Sequence, residues 1–272
     1  MKEHEEKLLT VKNLSKLMGL AINDYEMIKD GDRIAVGLSG GIDSLALLML
    51  LHERLRRIPG GYELFPVFVD NFNGESLQHN ERIEKLKESI YNKTGLNMEI
   101  IGITAVKTLT DKNFKHRDIC FLCSRKRRNE LIKFAFKKEC TSLALGHHLD
   151  DIVETSLMNM FYGRELSSML PRLDLFGGKM SLIRPLCYIS KSRIESYIYG
   201  REEILPVFGE VCPSKMIRRE LRREKVREII KVISPKIPGF TKNIFAAFRN
   251  PKRDYLLDIN FSPKSSGLFK RP

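Results

Sequence analysis

The fold is decided by the stretch RIAVGLSGGIDSLALLML, which spans residues 33–50. Its first six residues form a short apolar, partly β-branched run that predicts a buried strand. From Leu45 onward the density of apolar residues is that of a buried helix, which we expect to end before Pro59. Between the two lies the glycine-rich turn Ser39-Gly-Gly-Ile-Asp-Ser44. A strand, a glycine-rich turn and a helix in this order are typical of an α/β domain that binds a ligand at the turn.

Further strands and helices alternate along the chain. We predict strands over residues 33–38, 64–70, 98–103, 142–145 and 181–185. Helices are predicted within residues 1–30 and over 45–57, 78–93, 125–139, 150–162, 191–199 and 217–233, with an irregular stretch at 104–119 and a loop-rich tail after 233. Strands and helices that alternate at this spacing predict an α/β fold with a doubly wound, five-stranded parallel sheet covered on both faces.

The same pattern predicts the domain organisation. We expect an N-terminal helical segment at residues 1–30, a nucleotide-binding domain at 31–190 and a C-terminal helical extension at 191–272. The extension contributes a loop cysteine, Cys212, followed by a very basic helix.

The composition excludes several classes of protein. The chain has 272 residues, of which 42% are hydrophobic, and it is too apolar for a disordered protein. No stretch is as long and uncharged as a membrane-spanning helix, and the first residues lack the apolar core of a signal peptide. Five cysteines are too few for a disulfide scaffold, so we expect a soluble cytoplasmic protein with no membrane partner. A net charge of +13 indicates a polyanionic partner such as nucleic acid, or simply a solvated basic surface.

The turn after the first strand has the chemistry of a phosphate site. Its two glycines let the backbone approach an anion, its two serines add hydroxyl donors, and the next helix points its N-terminus at the ligand. Asp43 is a carboxylate beside the phosphates, which makes sense only with a cation, most simply Mg²⁺. The turn is neither a Walker A loop nor a G-x-G-x-x-G motif. The residues predicted to contact nucleotide here are Leu38, Ser39, Gly40, Gly41, Asp43 and Ser44.

Two more segments are expected at the same crevice, because the ends of parallel strands share one edge of the sheet. Gly146 and His147 follow the fourth strand and line the predicted nucleotide site, with His148 as a weaker candidate. Val69 and Asp70 end the second strand and would lie near the ribose or adenine, although turn formation explains Asp70 equally well.

Asp150 and Asp151 are candidate catalytic residues in the loop that follows the fourth strand. Either carboxylate can complete a metal site or orient a proton in transfer. Their alternative role is to cap a helix, with Glu154 as the partner in a capping box.

The cysteines fall into two groups. Cys140 and Cys187 have the setting of apolar core residues. Cys120 and Cys123 form a C-x-x-C motif, which is a redox pair, half of a metal site or a coincidence. With Cys212 in a loop, three thiolates fit an iron–sulfur cluster that has one open iron, whereas zinc and three inert thiols are the alternatives.

The motif SGGIDS at residues 39–44 resembles the SGGxDS signature of the PP-loop ATP pyrophosphatases, which split ATP between its α and β phosphates. With C-x-x-C and a later single cysteine, the chain resembles the tRNA thiolation enzymes, above all the tRNA 2-thiocytidine synthetase family. The stretches that carry this resemblance are AINDYEMIKDGDRIAVGLSGG (21–41), CFLCSRKRRNEL (120–131), LALGHHLDDIVETSLMNMFYG (143–163) and IRPL (183–186).

The resemblance implies a reaction, cofactors and partners. ATP would activate the C2 carbonyl oxygen of a cytidine at position 32 of the tRNA anticodon loop, and sulfur would then attack C2 as AMP departs. A 4Fe-4S cluster would lie on Cys120, Cys123 and Cys212, and Arg127 would neutralise charge at the α-phosphate. Asp43 would steady the pyrophosphate through Mg²⁺. A cysteine desulfurase or free sulfide would supply the sulfur, and a homodimer is expected.

The chain departs from the family pattern at one important position. The family loop usually reads SGGKDS, and Ile42 here replaces the lysine, which removes a potential phosphate contact. A divergent relative that acts on another nucleoside is therefore an alternative. Two other PP-loop enzymes are further alternatives. A 2-thiouridine synthetase is disfavoured because this sequence lacks the terminal zinc-finger modules of that family, and a lysidine synthetase needs no cysteines. A zinc-stabilised RNA-binding module is the alternative that is not an enzyme.

The positive charge is concentrated in two segments beside the proposed cluster ligands. Residues 115–138 contain nine Lys and Arg against two Asp and Glu, and residues 215–231 contain eight against three. These segments predict a surface that binds tRNA phosphates with salt-sensitive affinity, although basic helices are often no more than solvated faces.

Overall fold

The computed structural model describes residues 2–57, 60–70, 77–103, 116–199 and 221–256. Within these ranges, the surroundings of side chains are described except at residues 2–12, 56, 77–78, 116–121 and 221.

One sheet forms the centre of the fold. Its strands are β1 (Arg33–Leu38), β2 (Glu63–Asp70), β3 (Glu99–Gly102), β4 (Ser142–Leu145), β5 (Arg172–Leu175) and β6 (Met180–Ile183). They lie in the order β3-β2-β1-β4-β6-β5, and every neighbouring pair is parallel except β5 with β6. The order reverses at β1, so the gap between the ends of β1 and β4 is the switch point at which such sheets bind ligands. The predicted α/β class and doubly wound sheet are confirmed.

The number of strands differs from the prediction. The described part of the sheet has six strands rather than five, because β5 pairs with β6 as an antiparallel edge strand. Arg172 and Asp174 make half of this short strand polar, and their side chains bind each other through Arg172 Nε and Asp174 Oδ1 at 3.0 Å. An edge strand pairs on one side only, so its sequence need not be apolar.

The described helices are α1 (Lys2–Asp24), α2 (Ile42–Arg54), α3 (Leu77–Thr94), α4 (His116–Lys137), α5 (Leu149–Met158), α6 (Lys191–Tyr199), α7 (Leu221–Ile233) and α8 (Phe240–Arg249). Three predictions of local structure were wrong. Helix α4 begins at His116, inside the stretch expected to be irregular. Helix α5 gives way to a π-helical turn over Asn159–Gly163 instead of continuing to Tyr162, and α8 lies in the tail expected to be loop-rich.

Apolar side chains cover both faces of the sheet. On one face Ala35 packs with Leu131, Phe134 and other core residues of α4. Side chains alternate along a strand, so Ile34 and Val36 point to the opposite face, and both are fully buried. Helix α2 packs against β1 and against α1 and α6. This arrangement holds the start of α2 rigidly at the carboxyl end of β1.

The chain divides into two compact units. One comprises Met1–His148 with Leu170–Arg219 and contains all six described strands, and the other comprises Leu149–Met169 with Glu220–Pro272. In the second unit α5 packs against α7 and α8, and Val226 of α7 is fully buried. The domain boundaries proposed at residues 30 and 190 stay predictions. Within the described ranges, no helix is both long and apolar enough to cross a membrane.

Candidate functional site

The glycine-rich loop between β1 and α2 is held in shape by its own serines. The backbone N–H of Ser39 donates to Ser44 Oγ at 3.1 Å, and this hydroxyl donates to the Gly41 carbonyl at 2.9 Å. Gly40 has a φ of +77°, in the left-handed region that favours glycine. The first N–H groups of a helix have no partner within it, so the start of α2 presents donors and a positive dipole end to an anion.

Gly146 brings the end of β4 against this loop. Strands β1 and β4 pair in register, with Gly37 opposite Leu145, so the two strand ends lie side by side. A Cβ on Gly146 would come within 2.9 Å of the Ser44 backbone nitrogen and 3.0 Å of the Asp43 carbonyl carbon. Only glycine permits this approach, because backbone atoms cannot swing aside as a flexible side chain can. Gly146, predicted to contact nucleotide, thus has a packing role at the loop.

Asp43 is bound by a cation that the sequence analysis missed. The ammonium group of Lys191, the first residue of α6, donates to both carboxylate oxygens of Asp43 at 2.7 and 2.8 Å. Nε2 of the buried His148 lies 3.9 Å from Oδ1 of the same carboxylate. The side chains of Lys191 and Asp43 retain 35% and 31% of their exposure, so the pair is accessible to a ligand.

Asp70 lies at the end of β2, on the same edge of the sheet as the loop. Its carboxylate is buried, and Oδ1 is 2.7 Å from Nε2 of His79 in α3. His79 was not predicted as a site residue; the sequence signal for it is a histidine shortly after an aspartate that ends a strand. The side chains of Leu38 and Val69 are buried, and Val69 belongs to the core cluster. Their predicted contact with nucleotide would therefore use the backbone.

The second unit contains the two other predicted catalytic carboxylates. Asp150 and Asp151 lie in the first turn of α5. Glu154, weighed as their capping-box partner, instead binds two arginines of α7: its two oxygens accept from Arg223 Nε at 3.0 Å and Arg227 Nε at 2.7 Å. The catalytic roles of Asp150 and Asp151 stay predictions.

The cysteines differ in their surroundings. Cys140 and Cys187 are buried, as predicted, and burial raises the pKa of the Cys140 thiol to about 11. Cys120 and Cys123 lie one turn apart in α4, where Cys123 is half-buried beside the core cluster and Arg127 follows it by one turn. Cys212 lies outside the described residues. Among the side chains that are described, no three His, Cys, Asp or Glu group together as metal ligands.

Comparison with known proteins agrees with this geometry. A family model described as the PP-loop domain matches residues 10–204. A tRNA-cytidine(32) 2-sulfurtransferase of Hahella chejuensis is 34% identical over 91% of this chain and 83% of its own length. Its counterpart in Burkholderia multivorans is 35% identical over 97% of this chain and 77% of its own.

A solved structure supports the fold. The U34-tRNA thiolase NcsA of Methanococcus maripaludis, solved with its 4Fe-4S cluster, superimposes with a TM-score of 0.73 over 96% of this chain and 86% of its own. The two sequences are only 21% identical, so this likeness concerns the fold alone. The resemblance predicted from SGGIDS and the cysteine pattern is confirmed by the sequence relatives. The chain belongs to the PP-loop proteins and, within them, to the tRNA-cytidine(32) 2-sulfurtransferase family.

Proposed function

We propose that this protein is an ATP-dependent tRNA sulfurtransferase that replaces the C2 oxygen of the cytidine at position 32 of the anticodon loop with sulfur. The observation that carries the proposal is the serine-braced loop at the start of α2, which forms an anion site at the switch point of the sheet. Relatives of this name match more than nine-tenths of the chain.

The first step uses ATP to activate the pyrimidine. The C2 carbonyl is a poor electrophile, and its oxygen attacks the α-phosphorus of ATP to form an adenylate with release of pyrophosphate. The N–H groups at the start of α2 stabilise the negative charge on the departing pyrophosphate. Asp43 is the carboxylate that would share Mg²⁺ with the phosphates. A single half-exposed carboxylate beside an anion site fits this metal, which proteins hold through one or two carboxylates and the substrate's phosphates.

The second step exchanges oxygen for sulfur. A sulfur nucleophile attacks C2, and the carbon–oxygen bond breaks as AMP leaves with the former carbonyl oxygen. Arg127 is the candidate for neutralising charge at the α-phosphate, and Asp150 or Asp151 for receiving a proton.

The spacing of Cys120 and Cys123 suits two ligands of a 4Fe-4S cluster. Cys120 and Cys123 are one helical turn apart, whereas Cys140 and Cys187 are buried in the apolar core and unsuited to bind it. The three ligands would be Cys120, Cys123 and Cys212. When bound, the cluster supplies an iron site from which sulfur can be delivered to C2.

Each of the two units carries exposed basic side chains that can contact tRNA phosphates. Exposed examples are Arg125, Lys126 and Arg128 on α4 in the first unit, and Arg222, Lys225 and Lys231 on α7 in the second. Each contact with a phosphate releases counterions, so tRNA affinity will fall steeply with salt concentration. A cysteine desulfurase or free sulfide as donor, a homodimer and a cytoplasmic location complete the proposal.

The test is a reconstituted reaction under anaerobic conditions with tRNA, ATP, Mg²⁺ and sulfide. We expect pyrophosphate release and a 2-thiocytidine in the digested tRNA, both measured directly, the second by mass spectrometry. The variant Cys212→Ala should bind ATP as the wild type does but lose iron, brown colour and thiolation. Cys140→Ala serves as the matched control and should keep all three.

Several results would contradict the proposal. An active Cys212→Ala enzyme would overturn the assignment of the cluster ligands. Stoichiometric zinc in place of iron would overturn the cluster itself. Pyrophosphate release without any thiolated nucleoside would favour another PP-loop reaction, and no release at all would overturn the enzymatic function.

A further inference from the structure

The anion loop lacks the lysine that its family motif contains, and a lysine from another helix contacts the loop at Asp43. Ile42 occupies the motif position, whereas Nζ of Lys191 lies 2.7 and 2.8 Å from the two oxygens of the adjacent residue Asp43. We propose that Lys191 supplies from α6 the positive charge that the loop lacks at Ile42, and that it binds the β- and γ-phosphates of ATP. This inference rests on the ATP-dependent function proposed above.

The charges at the loop require such a group. Asp43 carries a full negative charge next to the site of a polyanionic ligand, while the dipole of α2 offers only about half a positive charge at its N-terminus. The loop alone therefore presents a net negative charge to the phosphates. A lysine at position 42 would correct this, and isoleucine cannot. The ammonium group of Lys191 is in contact with the carboxylate that needs compensation.

The structure holds the backbone of Lys191 in a fixed position. Helix α6 packs along α2, with Ile194 and Ile198 buried between them and their neighbours. Farther along α6, the hydroxyl of Tyr197 donates to Oε1 of Glu53, near the end of α2, at 3.1 Å. The α6 helix is thus anchored to the same helix that begins at the anion loop.

The side chain of Lys191 can move where its backbone cannot. It ends a flexible four-carbon stem, and about a third of it is exposed, as is Asp43. Its ammonium group contacts the Asp43 carboxylate. With Mg²⁺ and ATP bound, rotation about this stem would let Nζ donate to a phosphate oxygen, and Asp43 would be the carboxylate that holds the metal. Lys191 is thereby a binding residue for the leaving pyrophosphate.

The test measures nucleotide affinity separately from turnover. Titration calorimetry with a non-hydrolysable α,β-methylene ATP and with AMP is carried out on the wild type, Lys191→Met and the double variant Lys191→Met/Ile42→Lys. We expect Lys191→Met to weaken binding of the ATP analogue about 10-fold and to change AMP affinity less than about twofold. The added Ile42→Lys should recover most of the loss. Lys179→Met, at an exposed lysine of the same unit, should change neither affinity.

Other results of this titration would contradict the proposed role of Lys191. An unchanged affinity of Lys191→Met for the ATP analogue would overturn it, and so would equal losses for the analogue and AMP, which indicate a general distortion. Thermal unfolding of each variant within about 2 °C of the wild type excludes misfolding as the cause of a loss. A wild-type protein that binds no ATP analogue would overturn the proposed function and this inference together.

Discussion

Asp43 and Glu154 are both bound by basic side chains, and their surroundings differ sharply. Asp43, at the anion loop, is bound by Lys191, lies 3.9 Å from Nε2 of His148 and is 31% exposed. Glu154, in the second unit, is 9% exposed and binds two arginines, Arg223 and Arg227, through one oxygen each. Both arrangements neutralise a negative charge, but only the first leaves the carboxylate accessible to a ligand.

This difference in exposure indicates that the lysine on Asp43 can be replaced by another cation, whereas the arginines on Glu154 have a structural role. A half-exposed ion pair contributes little to stability because water competes for both charges. Lysine is also a single mobile charge, so another cation can take its place on Asp43. A buried carboxylate that loses its partners is costly, and two guanidinium groups fix its position. We therefore interpret the Asp43 pair as part of the binding site and the Glu154 pairs as a link between α5 and α7.

The largest effect is expected from Asp43→Asn, which removes the negative charge but keeps the shape of the side chain. Pyrophosphate release in the presence of tRNA should fall about 100-fold or more, because the proposed Mg²⁺ site would lose its carboxylate ligand. The free energy of unfolding should change by less than about 0.5 kcal/mol, since the pair is solvated. Pyrophosphate release and the free energy of unfolding can be measured on the same preparation of the variant. A variant that keeps its activity would remove Asp43 from the reaction.

The opposite outcome is expected from Glu154→Gln. The two arginines would lose their common partner, and we expect the free energy of unfolding to fall by about 2 kcal/mol. This loss is smaller than that for a fully buried pair because the arginines are partly exposed. Urea denaturation measures this change. Glu63→Gln is the matched control: Glu63 is 62% exposed in its pair with Arg33, so this substitution should cost less than about 0.5 kcal/mol. Equal effects of the two variants would contradict a structural role for Glu154.

The smallest effect concerns an ionisable group in the apolar core, Cys140. Its folded-state pKa is raised by burial to about 11, so the folded protein holds this proton more tightly than the unfolded chain does. The resulting stability is present below the ordinary thiol pKa of about 9 and is lost as the pH rises from there to about 11. Cys140→Ala should therefore reduce the loss of stability between pH 7 and pH 10 by about 1 kcal/mol. An identical pH dependence in the variant would contradict this burial effect. Tyr62, whose pKa is also raised by burial, contributes in the same direction in both proteins.

The parts of the fold that could be predicted are those with a strong local signal. Residues 33–50 have a buried strand, a turn that needs glycine and an apolar helix in direct succession; the strand lies where expected, and the helix begins at Ile42, three residues before its predicted start. Helix α6 was likewise predicted at its observed bounds. Strand β5 was missed because an edge strand can be polar. Helix α8 was missed because prolines surround it, although Phe240, Ile244 and Phe248 recur at helical spacing.

Only part of the candidate site could be predicted from the sequence. Ser39, Asp43 and Ser44 could be recognised because glycines and hydroxyls in a strand-to-helix turn have few other uses. Lys191 could not, because 148 residues separate it from Asp43 and a lysine that opens a surface helix is usually solvated. Contacts of this kind depend on how helices pack against the sheet, and a local pattern does not encode that packing.

The central position of β1 has a consequence for synthesis of the chain. Its neighbour β4 lies more than a hundred residues later, as the bond between Arg33 and Thr141 shows, and Lys191 is later still. A nascent chain that has emerged only to residue 140 therefore contains the whole SGGIDS motif but neither Gly146 nor Lys191 to complete its surroundings. Because long-range parallel pairing forms slowly, we expect ATP binding to appear late in translation, after most of the chain has left the ribosome.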